Sequence, residues 1–199
     1  MRRISTRIAA TVAIAAALAV TGLSDSALAD TTPAATAPSG SLVVQEDSTF
    51  LQNSLSNGIV AIALPNATPG FSTTTGLSAT FPVTGGAVHL SGFYGAAQLG
   101  GGLLLVNVTN GQTVIFNNLT FDASKWALTG VPLGQTTAVK LLDPAKPVIS
   151  GTGTTQTLTS SDLEVDASGA AFVDNALGTT FFAGRQHAGA GTLTFTAGS

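Results

Sequence analysis

The sequence of 199 residues contains no cysteine. Disulfide frameworks, thiol nucleophiles, zinc fingers and cysteine-ligated iron–sulfur clusters are therefore excluded. Charge is scarce, with Asp, Glu, Lys and Arg together at 9%. Three of the seven basic residues, Arg2, Arg3 and Arg7, crowd the first seven positions. Beyond them the only cations are Lys125, Lys140, Lys146 and Arg185. An acidic chain with so few cations cannot neutralise a phosphate backbone, so nucleic acid is excluded as a partner. Two histidines leave little room for a transition-metal site. There is one Tyr and one Trp, so any chemistry needing a phenol rests on a single residue. Against these gaps stand an apolar content of 44% and 23 glycines. The length and apolar fraction suffice for one domain with a real core and argue against a wholly disordered chain.

Residues 1–29 have the layout of a secretory signal peptide. The early arginines supply a positive start, and Ile8 to Val20 form a 13-residue uncharged run. Ala27-Leu28-Ala29 then place small residues before a cut ahead of Asp30. As a helix such a run reaches about 20 Å, short of a ~30 Å hydrocarbon core. No later stretch approaches 18 apolar residues, so the mature chain has no expected membrane helix. The Arg2-Arg3 pair hints at twin-arginine export without completing its motif. The expectation is an exported protein, secreted or held at the cell wall, with cleavage after Ala29. Residues 30–40 contain two prolines and no large apolar residue, and read as a flexible spacer. Residues 41–199 then form a single β-rich domain.

Within that domain, Asp47 or Ser48 can cap a short helix running to Gly58. Ile59 to Leu64 reads as a strand stopped by Pro65. From Phe71 onward, Thr, Val, Phe and Leu alternate with small polar residues, and glycine-rich breaks recur. Strands are expected at 77–83, 87–94, 126–131, 137–142, 157–165 and 190–196. Asn110-Gly111 lies between two apolar runs, which predicts a hairpin of 103–109 with 112–121 about a two-residue type I′ turn. In that register Leu104, Val106 and Val108 form the more continuously apolar face and are expected to point at the core. Gly100-Gly101-Gly102 reads as a turn or bulge. Ser168 to Leu177 reads as a helix stopped by Gly178, with Ala171, Phe172, Asn175 and Ala176 on one face. The total predicts a mostly β fold: an antiparallel sandwich, or a barrel, with one or two short helices.

Catalytic signals are thin. Asp162, Glu164 and Asp166 alternate along one strand and so share a face, about 6.8 Å apart. They read either as a solvated strand face or, with His187, as the seed of a hydrolase or calcium site, although no loop supplies calcium's six to eight oxygens. No Gly-x-Ser-x-Gly elbow occurs. His89 and Tyr94 flank Gly92 on opposite sides of a bend. Haem ligation, if present, would draw on them, on His187 or on carboxylates. Asn66, Asn107 and Asn118 open Asn-x-Thr sequons.

Two stretches carry a family likeness. One is TFPVTGGAVHL (80–90), followed by the glycine block and LLLVNVTNGQTVIFNNLTFD (103–122). The other is LEVDASGAAFVDNALGTTFFAGRQHAGAGTLTF (163–195). Together they resemble the Htaa-type, haem-transport-associated domains of secreted and cell-wall actinobacterial proteins. The resemblance implies a β-sandwich and surface haem binding through a Tyr ligand supported by a His. The family's Tyr lies near the domain start, where this chain reads Phe50-Leu51-Gln52-Asn53-Ser54. Its His precedes the Gly-Gly-Leu strand, where this chain reads Ala97-Gln98-Leu99. Haem as a cofactor here would thus fall to Tyr94 and His89.

Three functions follow in order. The first is an exported, non-catalytic binding or structural module, with no cofactor and an unknown surface or extracellular ligand. The second is a carrier of haem or a small apolar ligand. The third is a hydrolase built on Asp162, Glu164, Asp166 and His187.

Overall fold

The structure is a computed structural model that describes residues 35–73 and 76–199. The proposed leader, its cleavage point and residues 30–34 of the spacer lie outside the described residues, and the last two spacer residues, Ser39 and Gly40, open the first strand. In chain order the elements are β1 (Ser39–Glu46), α1 (Ser48–Ser56), β2 (Ile59–Ala63), β3 (Thr68–Ser72), β4 (Gly76–His89), β5 (Tyr94–Leu99) and β6 (Leu103–Asn107). They continue with β7 (Gln112–Asp122), β8 (Ala127–Pro132), β9 (Val139–Ala145), β10 (Val148–Thr152), β11 (Thr155–Val165), α2 (Ala167–Leu177) and β12 (His187–Thr196).

Eight of these strands close into an antiparallel barrel in the order β7-β5-β4-β1-β12-β11-β9-β8, sealed by pairing of β8 with β7. Of the two expected all-β forms, the chain takes the barrel. Closure depends on β7, which pairs with β6 over Gln112–Phe116 and with β5 over Thr120–Asp122. Its register against β8 shifts between Asn117 and Thr120, where Asn118 has a φ of 49°. Such a bulge bends a strand and lets it serve two neighbours, which is how sheets turn into barrels. β2 and β6 extend the sheet beside β7, while β3 pairs with β4 and β10 with β11.

Burial follows the two-residue period. On β12, Gly189, Gly191, Leu193 and Phe195 are buried while their neighbours are not. On β7 the buried set is Val114 and Phe116, then Leu119 and Phe121 after the bulge has shifted the phase. α2 covers one side of the barrel with Gly169, Ala170, Val173 and Leu177. The expected helix is present, but Ala171 and Asn175 face outward, so the buried face is rotated from the one read in the sequence. The true face begins at Gly169, where an added Cβ would lie 2.1 Å from the carbonyl oxygen of Lys140.

Three other expectations are corrected. The 77–83 and 87–94 segments are not two strands, because β4 runs unbroken from the first to His89 with a bulge between Val83 and Gly85, and the rest of the second is a 3-10 turn at Leu90–Gly92 leading into β5. Gly86 there is not a chain reversal. Its φ of 92°, with a would-be Cβ 2.2 Å from the oxygen of Ala96, marks close approach of the β5 backbone. Second, the β6–β7 connection has four residues, 108–111, with Asn107 opposite Gln112. Gly111 takes positive φ and Asn110 does not, so no type I′ turn forms. Third, β6 presents Leu105 and Asn107 to the interior, and Val108 is 64% exposed. Asn107 is tolerated inside because its amide donates to the carbonyl of Leu177 at 3.0 Å, while its oxygen accepts from Thr109 N at 3.0 Å. Among the sequons, Asn107 is thus buried, whereas Asn66 and Asn118 are exposed.

Candidate functional site

A partly open cavity of about 260 Å³ lies between β1, the β3–β4 hairpin, β6, β8, β9 and α2. Its walls are almost wholly apolar and include Val44, Leu105, Leu141 and Val173. One carboxylic acid interrupts them, Glu46. Its position follows from strand geometry. Leu42, Val44 and Glu46 are spaced by two along β1, so the face that starts with buried Leu42 ends in a carboxyl group. Burial raises the pKa of Glu46 above the ordinary carboxylate value, and the charge of Asp47 raises it further. Its side chain has no hydrogen bond or ion pair among the described residues.

The residue after Glu46 turns the chain. Asp47 caps α1, its Oδ1 accepting from Thr49 N at 2.8 Å and Phe50 N at 3.0 Å. The Phe50 amide hydrogen bond holds the Asp47 pKa below its usual value. α1 brings Phe50 to the cavity wall, where its ring lies 5.5 Å from that of Phe181 and 6.4 Å from that of Phe182. Phe182 is fixed in turn through its amide, which donates to Asp174 Oδ1 at 3.1 Å.

The residues singled out in the sequence lie elsewhere. His89 and Tyr94 pair across the tip of the β4–β5 hairpin, which turns through a single 3-10 turn at Leu90–Gly92. Their rings stack 4.9 Å apart at an interplanar angle of 6°. Tyr94 is 59% exposed, and neither residue lines the cavity. Phe93 beside them has a φ of 56° and packs on Trp126, whose φ is 53°.

Asp162 and Glu164 share a face of β11 as expected, but Asp166 falls past the end of the strand as the cap of α2, and the three take different partners. Asp162 Oδ1 lies 2.6 Å from His187 Nδ1, and Asp47 Oδ2 is 4.0 Å from Nε2 of the same ring. Glu164 pairs with Arg185 at 3.2 Å. Asp166 pairs with Lys140 at 3.1 Å and caps α2 through Ser168 and Gly169. Burial would raise the Asp166 pKa, yet the Ser168 hydroxyl, Lys140 and the two amides outweigh it and bring the pKa down to about 2. Asp143 also approaches Lys140, at 3.2 Å, but its pKa is raised by burial. Among the described residues no hydroxyl is hydrogen-bonded to His187, and no group of three His, Asp or Glu side chains is arranged to hold a metal. The His187–Asp162 pair is therefore a hydrogen-bonded couple without a placed nucleophile among the described residues.

Sequence reasoning missed Glu46. The available signal was its phase: a carboxylate two residues beyond Val44 on a strand whose even positions are apolar, in a chain with very few charges.

In a closed barrel of eight strands the interior is either filled by side chains or left with room for one small molecule. No protein-family model and no curated protein sequence matches this chain. Solved structures do. The chain is similar to the C-terminal domain of HtaA from Corynebacterium glutamicum, with 13% identity and a TM-score of 0.52 over 81% of this chain and 98% of that one. The heme binding protein HtaB from the same organism gives 15% identity and a TM-score of 0.46 over 82% of this chain and 95% of that one. At these identities the HtaA likeness establishes a shared fold. Among the described residues no helix is long and apolar enough to cross a membrane.

Proposed function

We propose that the chain is an exported, non-catalytic binding module, acting at the cell envelope or outside the cell, whose barrel cavity takes a small apolar ligand. The cavity carries this reading: about 260 Å³ of almost uninterrupted apolar wall, partly open. A partner that fits it is a small molecule with an apolar body, not a nucleic acid. The test is a titration of the purified domain with the uncharged dye N-phenyl-1-naphthylamine. Saturable fluorescence enhancement is expected. Ala63→Phe, which places a ring into the cavity from the sheet margin, should abolish it while leaving the thermal transition in place. A dye signal unchanged by Ala63→Phe overturns the assignment.

The His89–Tyr94 stack favours a second reading, haem captured at the exposed hairpin tip. An exposed phenol can offer an iron ligand, and the imidazole stacked on it fixes the orientation of its ring. Hemin titration should then give a Soret shift that Tyr94→Ala removes. A spectrum identical to that of free hemin rules this reading out.

A further inference from the structure

We propose that Glu46 makes the cavity selective for an apolar molecule bearing a single cationic head, of the alkylammonium class. This assignment rests on the cavity reading above and deepens it. The argument begins with charge accounting. The described residues hold eight carboxylates, Glu46, Asp47, Asp122, Asp143, Asp162, Glu164, Asp166 and Asp174. Seven of them are engaged. Asp47 caps α1, Asp122 pairs with Lys125, Asp143 and Asp166 share Lys140, Asp162 meets His187, Glu164 meets Arg185, and Asp174 accepts from the Phe182 amide. Glu46 alone has no such partner, and it alone among them lines the cavity.

No lysine or arginine among the described residues pairs with Glu46. Lys125, Lys140 and Arg185 are bound to other carboxylates, and Lys146 stands exposed in the β9–β10 turn. A half-buried carboxylate without a counter-ion is costly to hold ionised. That cost is relieved when a cation enters the same low-dielectric space, where attraction is stronger than in water. The surrounding wall offers an anion no cation, only the hydroxyl of Ser78. It offers a neutral head group that hydroxyl and the hydrogen bond of one carboxyl. An ammonium head with an alkyl body matches both parts of the site: the chain buries against Leu105, Leu141 and Val173, and the head meets Glu46. Phe50, tied to the next residue by the α1 cap, closes over the apolar part.

The experiment displaces bound N-phenyl-1-naphthylamine with decylammonium, decanol and decanoate at neutral pH, in the wild-type domain and in Glu46→Gln. Decylammonium should compete at a concentration at least about tenfold below decanol, with decanoate weakest. Glu46→Gln should still bind the dye but should bring decylammonium level with decanol. Equal competition by all three in the wild type overturns the charge assignment while leaving the cavity reading intact. An ammonium preference that survives in Glu46→Gln also overturns it. Absence of dye binding removes the cavity reading and this assignment with it.

Discussion

The chain builds the same junction twice, and the two copies are put to different uses. β1 ends at Glu46, Asp47 caps, and α1 follows. β11 ends at Val165, Asp166 caps, and α2 follows. In both, one aspartate oxygen accepts from the second and third amides of the helix. The difference lies in what the helix then buries. α2 places Gly169, Ala170, Val173 and Leu177 inside, whereas α1 buries only Ser54. The strand residue before the cap differs too. Both line the cavity, but Val165 is a buried apolar residue, while Glu46 is a half-buried acid. Local signals alone thus make a helix start, and tertiary packing decides whether that helix seals the barrel or borders its opening.

If α2 is the seal, its deepest residue carries the largest effect. Leu177→Ala, at a fully buried position, should cost about 2–5 kcal/mol by chemical denaturation. Phe50→Ala on α1 should cost much less and should instead weaken dye binding. Gly169→Ala comes next. Its new Cβ would meet the backbone of Lys140, so the helix must move off β9, at a cost of about 1–3 kcal/mol. Similar losses for Leu177→Ala and Phe50→Ala would erase the distinction between seal and border.

The cap of α2 also carries a pH signature. The folded-state pKa of Asp166 is depressed to about 2 from an ordinary 3.8. A depressed acid stabilises the fold above its unfolded pKa, and that contribution fades as pH falls from about 4 toward 2. A shift of this size corresponds to roughly 2 kcal/mol, which solvent screening of the Lys140 pair reduces to about 1 kcal/mol. Acid titration of stability in Asp166→Asn should therefore lose about that much of its slope between pH 4 and 2. An unchanged slope would show that the Asp166 contacts are too mobile to perturb its titration.

How much of this was legible follows from where each signal is stored. α2 could be read because its start and stop are local: Asp166 caps it, and Gly178 takes the left-handed conformation that ends it. The β character could be read from alternation, clearest on β12. Barrel closure could not, because it turns on the bulge at Asn118, and an asparagine between two strand halves carries no distinctive mark. The hairpin misled for a related reason. Asn110 does sit in the turn, its oxygen accepting from Gln112 N at 2.9 Å, but its amide donates to the Leu177 carbonyl at 2.9 Å. Its chemistry serves a contact some 67 residues away in sequence. The cavity was invisible because its wall is drawn from many separate elements, each of which reads singly as core.

The smallest expected effect is the most discriminating. Asp47→Ala removes a cap equivalent to that of Asp166, so peptide-level reasoning assigns the two substitutions the same loss, about 1 kcal/mol. The structure separates them. Asp166 also holds Lys140, and its helix is pinned by four buried residues, so unwinding its first turn disturbs the core. Asp47 has only the distant edge of His187 at 4.0 Å besides its cap, and its helix lies largely in solvent. Asp47→Ala should therefore cost about 0.5 kcal/mol, the low end of the cap range, by denaturant titration. It should nevertheless change ligand exchange, because Phe50 is the third residue of α1 and its amide is one of the two that Asp47 holds. With the first turn frayed, the Phe50 ring no longer closes the cavity wall, and stopped-flow dissociation of N-phenyl-1-naphthylamine should quicken several-fold at little cost in stability. Losses of equal size for the two caps, with an unchanged dissociation rate, would mean that α1 is packed as firmly as α2 and does not border the opening.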